Sequence, residues 1–243
     1  LTPHTLFISD LHLTAERPHT NQQFFDFLSN VAPAAGALYI LGDLFEYWVG
    51  DDDTEDALNS SVASALKQLT ARGVKVYFMH GNRDFLLGQE FAARAGASLI
   101  SDPTVIDLYG TRTLLMHGDT LCTDDVEYQK ARAHYTNPQV KAQLLQLPLA
   151  VRHQQARKLR EQSEASKAGM AMQIMDVAAA AVEGVLRQHG YPRLIHGHTH
   201  RPARHVHTVD GHACERWVLN DWYTRGGHLY CDAARCTAHG VSA

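Results

Sequence analysis

The 243-residue chain has no apolar run of the about eighteen residues that a membrane-spanning helix needs. Its first residues lack the basic, apolar, small-residue succession of a secretion signal. An excess of one charge is missing too. With 22 Lys and Arg against 26 Asp and Glu, the formal net charge is −4, which argues against a nucleic-acid binder held by bulk positive charge. The four cysteines, Cys122, Cys214, Cys231 and Cys236, show no CxxC spacing, so no zinc or redox motif is expected, and they read as reduced structural thiols of a cytosolic protein. A composition of 45% hydrophobic and 20% charged residues excludes disorder, collagen and coiled coil, and suits one substantial core.

Short apolar runs closed by turn residues mark buried strands at 5–9, 37–41, 74–79 and 112–116, with helical segments at 20–34 and 54–72 between the early ones. That alternation predicts an α/β protein whose loops gather at the carboxyl ends of the strands. Further β-like runs at 193–195, 204–209, 214–219 and 228–232 favour a mixed sheet, or two packed sheets, over a purely parallel one. The closing CDAARCTAHGVSA reads as a strand end followed by a loose tail. Residues 121–189 are rich in Gln and Ala and predict a helical cap inserted into a core made of 1–120 and 190–243. Within 130–170, eight Lys or Arg stand against Glu161 and Glu164, so that segment is +6 and the remainder −10. With the apolar string Leu144, Leu145, Leu147, Leu149 and Val151, this charge suits an anionic amphiphile or a membrane surface. The following stripe, including Val177, Ala181, Val182 and Leu186, has the spacing of ordinary helix packing.

Histidine is abundant, with sixteen copies, and position decides which of them matter. Five motifs each follow an apolar run: Asp10-Leu11-His12, Gly42-Asp43, Gly81-Asn82-Arg83-Asp84, His117-Gly118-Asp119 and His196-Gly197-His198-Thr199-His200. Residues alternating along an extended strand end point to one side, which brings Asp10 with His12, and His198 with His200, to one metal cluster. Carboxylate, imidazole and amide oxygen without thiolate suit Mn²⁺, Mg²⁺, Fe or Zn²⁺. The candidate ligands Asp10, His12, Asp43, Asn82, His117, His198 and His200 exceed one closed site, so two ions are expected, with a carboxylate such as Asp43 between them and a bridging water as the nucleophile. The run Asp51, Asp52, Asp53, Glu55, Asp56 lacks EF-hand spacing and reads as a solvated turn before a helix. Asp84 and Asp119 read as partners orienting an imidazole or guanidinium. Glu46 and Trp48 fit either a structural or a site role, and Tyr128 and His134 either substrate contact or helix packing.

Taken in order from Asp10 to His200, these motifs resemble the calcineurin-like metallophosphoesterase superfamily. The resemblance implies a sandwich of two mixed sheets flanked by helices. It places Asp10, His12, Asp43 and His200 on one ion and Asp43, Asn82, His117 and His198 on the other. Arg83 stands where many members of the superfamily have a histidine that assists the leaving group. A guanidinium cannot shuttle protons at neutral pH, but it clamps phosphate oxygens bidentately, which points to a diphosphate. The strings GDLFEYWVGDDD at 42–53, HGNRDFLLG at 80–88 and IHGHTHRP at 195–202 are similar to the branch of the superfamily that serves the lipid A pathway of Gram-negative bacteria. That similarity implies a binuclear, metal-dependent pyrophosphohydrolase that splits a UDP-linked diacylglucosamine lipid into UMP and 2,3-diacylglucosamine 1-phosphate. It further implies two Mn²⁺ ions, with Mg²⁺ or another divalent metal as the alternative, and a peripheral place at the anionic cytoplasmic face of the inner membrane, with acyl chains held by the cap. Catalytic roles are implied for Asp43, Asn82, Arg83 and His198, and substrate contacts for Asn82, Arg83, Asp125, Ser163, Lys167, Met170 and His198. We expect attack at the uridine-side phosphorus. Two alternatives stay open at this point: another binuclear phosphodiesterase acting on nucleotides, and a scaffold of this fold without catalysis. No nucleic-acid partner is expected, and the oligomeric state is not encoded.

Overall fold

A computed structural model describes residues 3–167, 176–223 and 226–240, with side chains up to Ser163 in the helix that ends at Lys167. In chain order the elements are β1 (Thr5–Ile8), α1 (Pro18–Asn30), β2 (Ala37–Leu41), α2 (Ala57–Ala71), β3 (Lys75–Met79), α3 (Gln89–Ala95), β4 (Ser98–Ile100), β5 (Thr104–Leu108), β6 (Thr111–Leu115), α4 (Val126–Thr136), α5 (Pro138–Leu145), α6 (Leu149–Lys167), α7 (Ala179–Gln188), β7 (Arg193–His196), β8 (Ala203–Val209), β9 (His212–Val218), β10 (Gly227–Cys231) and β11 (Cys236–Gly240). One sheet runs β11-β10-β1-β2-β3-β4 and the other β5-β6-β7-β9-β8. Both are mixed. Strands β1 to β4 are parallel with β10 antiparallel to β1, while β6 and β7 are parallel beside the antiparallel β5.

The alternation of side chains along each strand sorts the apolar residues into layers. Leu6, Ile8, Leu38, Ile40, Val76 and Phe78 face α1 to α3, where Phe24, Phe27, Val62, Leu66 and Phe91 meet them. Their strand neighbours Phe7, Leu41 and Met79 face the second sheet and pack on Leu115 and Ile195. On the far side of that sheet, Leu114 and Leu194 pack on Val182 and Leu186 of α7. The last helix of the expected insertion therefore packs with the second sheet. Because β1, β2 and β3 run parallel, as do β6 and β7, their following loops reach one edge of the sandwich.

The structure differs from the sequence reading in several elements. Strands β4 and β5 are short and half-buried, without the apolar run that marks their neighbours. The closing segment is strand β11, not a loose tail: it pairs antiparallel with β10 and sets Cys231 opposite Cys236. Those two cysteines form a disulfide, whereas Cys122 and Cys214 are free and buried. Spacing along the chain misses this pair because the hairpin, not a CxxC turn, brings the sulfurs together.

Helices α4, α5 and α6 lie over the loop edge. Pro138 opens α5 and Pro148 precedes α6, each ending the previous helix by removing a backbone donor. The acidic run that reads as a solvated turn instead fastens this cap to the core. Asp51 turns inward and accepts from Trp48 Nε1 at 3.0 Å, Gly88 N at 2.8 Å and Phe91 N at 2.9 Å, capping α3. Asp52 pairs bidentately with Arg152 of α6, and Asp53 lies 2.9 Å from His153. Arg152 is only 5% exposed and also donates to the carbonyls of Val49 and Leu147. On α5, Lys141 donates to the Phe85 carbonyl at 2.7 Å.

This latch generates a prediction. Hydrogen bonds to a charged group contribute about 1.5–3 kcal/mol each, so Arg152→Met should speed hydrogen exchange in α6 by about tenfold or more while core strands stay protected. The Arg152 hydrogen bond holds the Asp52 carboxyl below its ordinary value against partial burial. Its stabilising share is thus present above the ordinary carboxylate range and lost as the pH falls through the lowered value. Exchange in the wild-type α6 should rise on that acid limb before exchange in β1 to β3.

Candidate active site

The cluster forms where the strands end. After β1 come Asp10 and His12; after β2, Asp43; after β3, Asn82; after β6, His117; and after β7, His198 and His200. The alternation expected for an extended strand is not how they converge. Asp10 (φ 55°), His12 (51°), Asp43 (53°), His198 (70°) and His200 (54°) all lie in the left-handed region, and they are five of the eight described non-glycine residues that do. Each such residue costs of order 1 kcal/mol or more. Tight left-handed turns, not the pleat, therefore aim these side chains. Two glycines allow the approach: a Cβ at Gly81 would lie 2.1 Å from Asp43 Oδ1, and one at Gly197 would lie 2.2 Å from Asp10 Oδ2.

Asp10, Asp43 and His117 are each tied by one polar atom and offer another. Asp10 Oδ2 accepts from Ser9 Oγ at 2.6 Å and His198 N at 2.8 Å, while its Oδ1 is buried without a hydrogen-bond partner, 3.5 Å from His200 Nε2. Asp43 Oδ1 accepts from Arg83 N at 2.8 Å, and its Oδ2 lies 3.7 Å from His12 Nε2 and 3.8 Å from His117 Nε2. His117 Nδ1 sits 2.9 Å from the Leu41 carbonyl and must donate to it, so a neutral ring turns a bare Nε2 on Asn82 Oδ1, 3.0 Å away. His12 Nε2 and His200 Nε2 face each other at 3.4 Å. Lone pairs facing lone pairs in a buried space are what a cation satisfies. The groups Asp10, His12, His200 and Asp10, Asp43, His117 each bring their ligand atoms within 4.8 Å of one another. The donor set is oxygen and imidazole, which fits a divalent ion of the Mn²⁺, Mg²⁺, Zn²⁺ type.

Without a cation among them, the same groups hold protons in its place. Burial pushes Asp43 up to about 7, opposed by His117 and reinforced by Asp84 and Asp10. Burial also works against the charge on His117, yet Asp43, Asp119 and Asp10 raise it to about 10. Asp84 holds backbone rather than an imidazole or guanidinium and so gathers the loops: it accepts from Gly81 N at 2.8 Å, Leu44 N at 2.8 Å and Asp43 N at 3.3 Å. Asp119 takes Tyr128 Oη at 2.7 Å and Arg132 Nε at 2.5 Å. Burial opposes its charge, but His117, His198 and Arg132 hold it down to about 2.

Beside the cluster a cavity of about 420 Å³ opens between core and cap. Asn82 and Arg83 line its inner end, Phe85, Leu86, Ile100, Tyr135, Leu144 and Leu159 give apolar wall, and Arg132, Lys141, Arg152 and Arg160 add positive charge. Ser163 lines it as well. The ring of His198 packs against His117 and Tyr128, with centroids 5.1 and 5.8 Å apart. Asp125 does not line the cavity; its carboxylate caps α4, accepting from Tyr128 N at 3.0 Å. The side chain of Lys167 and all of Met170 lie outside the described residues. The apolar string of the cap splits: Leu144 faces the cavity, whereas Leu145 and Val151 are exposed.

Sequence reasoning missed a charge hub at the rim. Glu46, buried, pairs with Arg17 of the core and lies 3.1 Å from Arg160 Nε of the cap and 4.0 Å from Arg83 Nη1. Arg17 also donates to the His12 carbonyl at 3.3 Å, and its guanidinium covers the ring of Tyr223, which stacks on His12. No local motif marks Arg17, Arg160 or Tyr223, and only Glu46 stood near one.

Residues 3–202 match the calcineurin-like phosphoesterase family. The chain belongs to the calcineurin-like phosphoesterase family. Relatives in that family are close over nearly the whole chain. A protein of Aromatoleum aromaticum named UDP-2,3-diacylglucosamine hydrolase is 54% identical, covering 94% of this chain and 93% of its own length. One of Pseudomonas paraeruginosa with the same name is 53% identical, covering 94% and 95%. A solved archaeal phosphodiesterase is 10% identical with a TM-score of 0.48, over 98% of this chain and 99% of that one. As a calcineurin-like phosphoesterase the chain is a metal-dependent hydrolase, and two groups of residues at its sheet edge could hold a metal ion.

Removing the carboxylate of Asp84 tests the arrangement without touching a candidate ligand. Asp84→Ala leaves three backbone donors unpaired in a buried loop, at about 1–3 kcal/mol each. Divalent-metal affinity, read by calorimetry, should fall about 10–100-fold, as it does when outer-shell partners are lost.

Proposed function

We propose that this chain hydrolyses the diphosphate bond of UDP-2,3-diacylglucosamine, giving UMP and 2,3-diacylglucosamine 1-phosphate in lipid A synthesis, with two divalent cations, normally Mn²⁺. The supporting observation is the continuity between the acceptor cluster and the cavity beneath the cap. Asn82 and Arg83 line it beside the cluster and a basic, apolar wall lies beyond them, which suits an anionic head with fatty chains. The names of close relatives support the same substrate.

In this reading Asp10, His12, Asp43 and His200 hold one cation, and Asp43, Asn82, His117 and His198 the other. Bound there, divalent cations supply a water whose pKa falls toward about 7 and neutralise charge on the phosphoryl oxygens. Arg83 clamps the diphosphate, fixed for that role by its backbone bond to Asp43 and the nearby Glu46 carboxylate. Because a guanidinium keeps its proton, Arg83 stabilises a leaving phosphate rather than protonating it. Arg160, held beside Glu46, places a second guanidinium over the same end of the cavity. Ser163, Lys167 and Met170 are assigned to the sugar and lipid side, and the apolar wall of Phe85, Leu86, Leu144 and Leu159 to the acyl chains, while Asp125 is left to start α4.

No helix among the described residues is long and apolar enough to cross a membrane. We place the protein on the cytoplasmic face of the inner membrane, docked by the cap, whose exposed Leu145 and Val151 accompany exposed Arg157 and Lys158.

UMP release from UDP-2,3-diacylglucosamine should require divalent metal, stop with chelator and resume with Mn²⁺. His12→Ala and Asp43→Ala should abolish it in a folded protein; near-normal turnover would remove the metal assignment. In heavy-oxygen water the label should enter UMP, and label in the lipid phosphate would reverse the direction of attack. For the membrane, sedimentation should show binding to phosphatidylglycerol vesicles at low salt, weakened by salt and by Leu145→Asp. Equal binding to neutral vesicles would sink the docking assignment.

A further inference from the structure

Behind the turn that carries His198 and His200 lies a second pocket of about 260 Å³, and none of its lining residues lines the cap cavity. Asp176, Thr199, Arg201, His205 and Arg216 supply its polar groups. Arg216 projects from β9 and is only 6% exposed. Its Nε lies 3.0 Å from His207 Nε2, and its Nη1 lies 3.1 Å from His196 Nε2. A guanidinium only donates, so both imidazole nitrogens present lone pairs and both rings are neutral. His196 completes its bonding through Nδ1, which donates to the Gly197 carbonyl at 2.9 Å. The cation of Arg216 thus rests on neutral acceptors, and among the described residues no carboxylate forms an ion pair with it.

The one carboxylate in the lining is already engaged. Asp176 accepts from Arg201 Nη1 at 2.5 Å and from Val177 N at 2.8 Å. Two guanidinium cations therefore face one carboxylate, and the pocket carries an excess positive charge. Thr199 adds a hydroxyl that is buried without a hydrogen-bond partner. A buried cation that shares the attraction of one carboxylate with a second guanidinium, beside an unsatisfied hydroxyl, is unfavourable unless an anion completes both. A water occupies about 30 Å³ of liquid, so the pocket has room for a phosphate-sized group with hydration.

We propose that this pocket binds a small tetrahedral oxyanion of the phosphate class, free or as the end of a monoester, through Arg216, Arg201 and Thr199. The anion sits on the opposite side of the 198–200 turn from the acceptor cluster and braces that turn through Thr199. It is a second anion site, separate from the diphosphate contacts of Arg83.

Calorimetric titration of the metal-loaded protein with inorganic phosphate, and in parallel with glycerol 3-phosphate, tests the site. Two binding events are expected for phosphate, one at the metal centre and one in the pocket. Arg216→Gln should weaken one event by about tenfold or more and leave the other, whereas Arg83→Ala should affect only the remaining event. Asp176→Asn keeps Arg216 and removes the competing carboxylate, so it should tighten the pocket event several-fold, and it serves if Arg216→Gln does not fold. Glycerol 3-phosphate binding that Arg216→Gln removes identifies monoesters as ligands; its absence beside retained phosphate binding confines the site to the free anion. A single event abolished by Arg83→Ala, or two events unmoved by both Arg216→Gln and Asp176→Asn, overturns the proposal.

Discussion

Buried acceptors that have no donor to face are the constraint around which this molecule is arranged. Asp10, Asp43 and His117 each have one polar atom fixed by the protein, through Ser9 and His198 N, through Arg83 N, or through the Leu41 carbonyl. Their second polar atoms are turned on one another. Tying half of each ligand holds the other half in place without help from solvent, and that rigidity is what a cation-dependent hydrolase requires. The left-handed turns at Asp10, His12, Asp43, His198 and His200 belong to the same arrangement, since strained backbone persists only where the surroundings over-determine it.

The cap is joined to this core by charge more than by apolar area. Arg152 reaches the 49–52 loop through two carbonyls and Asp52, and Arg160 reaches Glu46. The second contact matters because Glu46 also holds Arg17, which supports His12 from behind through its carbonyl and through Tyr223. Cap position and the backbone of a candidate ligand thus share one buried carboxylate. The coupling is physical and short, with Arg160, Glu46, Arg17 and His12 in direct succession.

Much of this was legible in the residues. The strands β1, β2, β3, β6 and β7 announce themselves as apolar runs, and the motifs that follow them carry the acceptor cluster, because both signals are local. What was hidden depends on distant partners or on backbone detail. Strand β11 has no apolar run and exists because β10 offers an edge; the Cys231–Cys236 bond follows from that pairing. Asp51 to Asp53 look like a solvated turn until Arg152 and His153, about a hundred residues on, fold against them. Asp125 carries the right chemistry for a sugar contact, yet its carboxylate is used to start α4. Positive φ at aspartate and histidine has no sequence mark, because glycine would be the expected residue there.

One consequence follows from where the two sheets meet. Asp10, His12, Asp43 and Asn82 follow strands of the six-stranded sheet, whereas His117, His198 and His200 follow strands of the five-stranded one. A divalent ion held among them would crosslink the two sheets, and the free energy of the fold would become a function of the ion's activity in solution. By mass action each tenfold rise in free ion above its dissociation constant adds about 1.4 kcal/mol to the resistance of the sandwich to unfolding. Metal supply would then govern how long the protein lasts as well as how fast it works, and starvation for the ion would shorten its lifetime by loosening the pairing of its two halves.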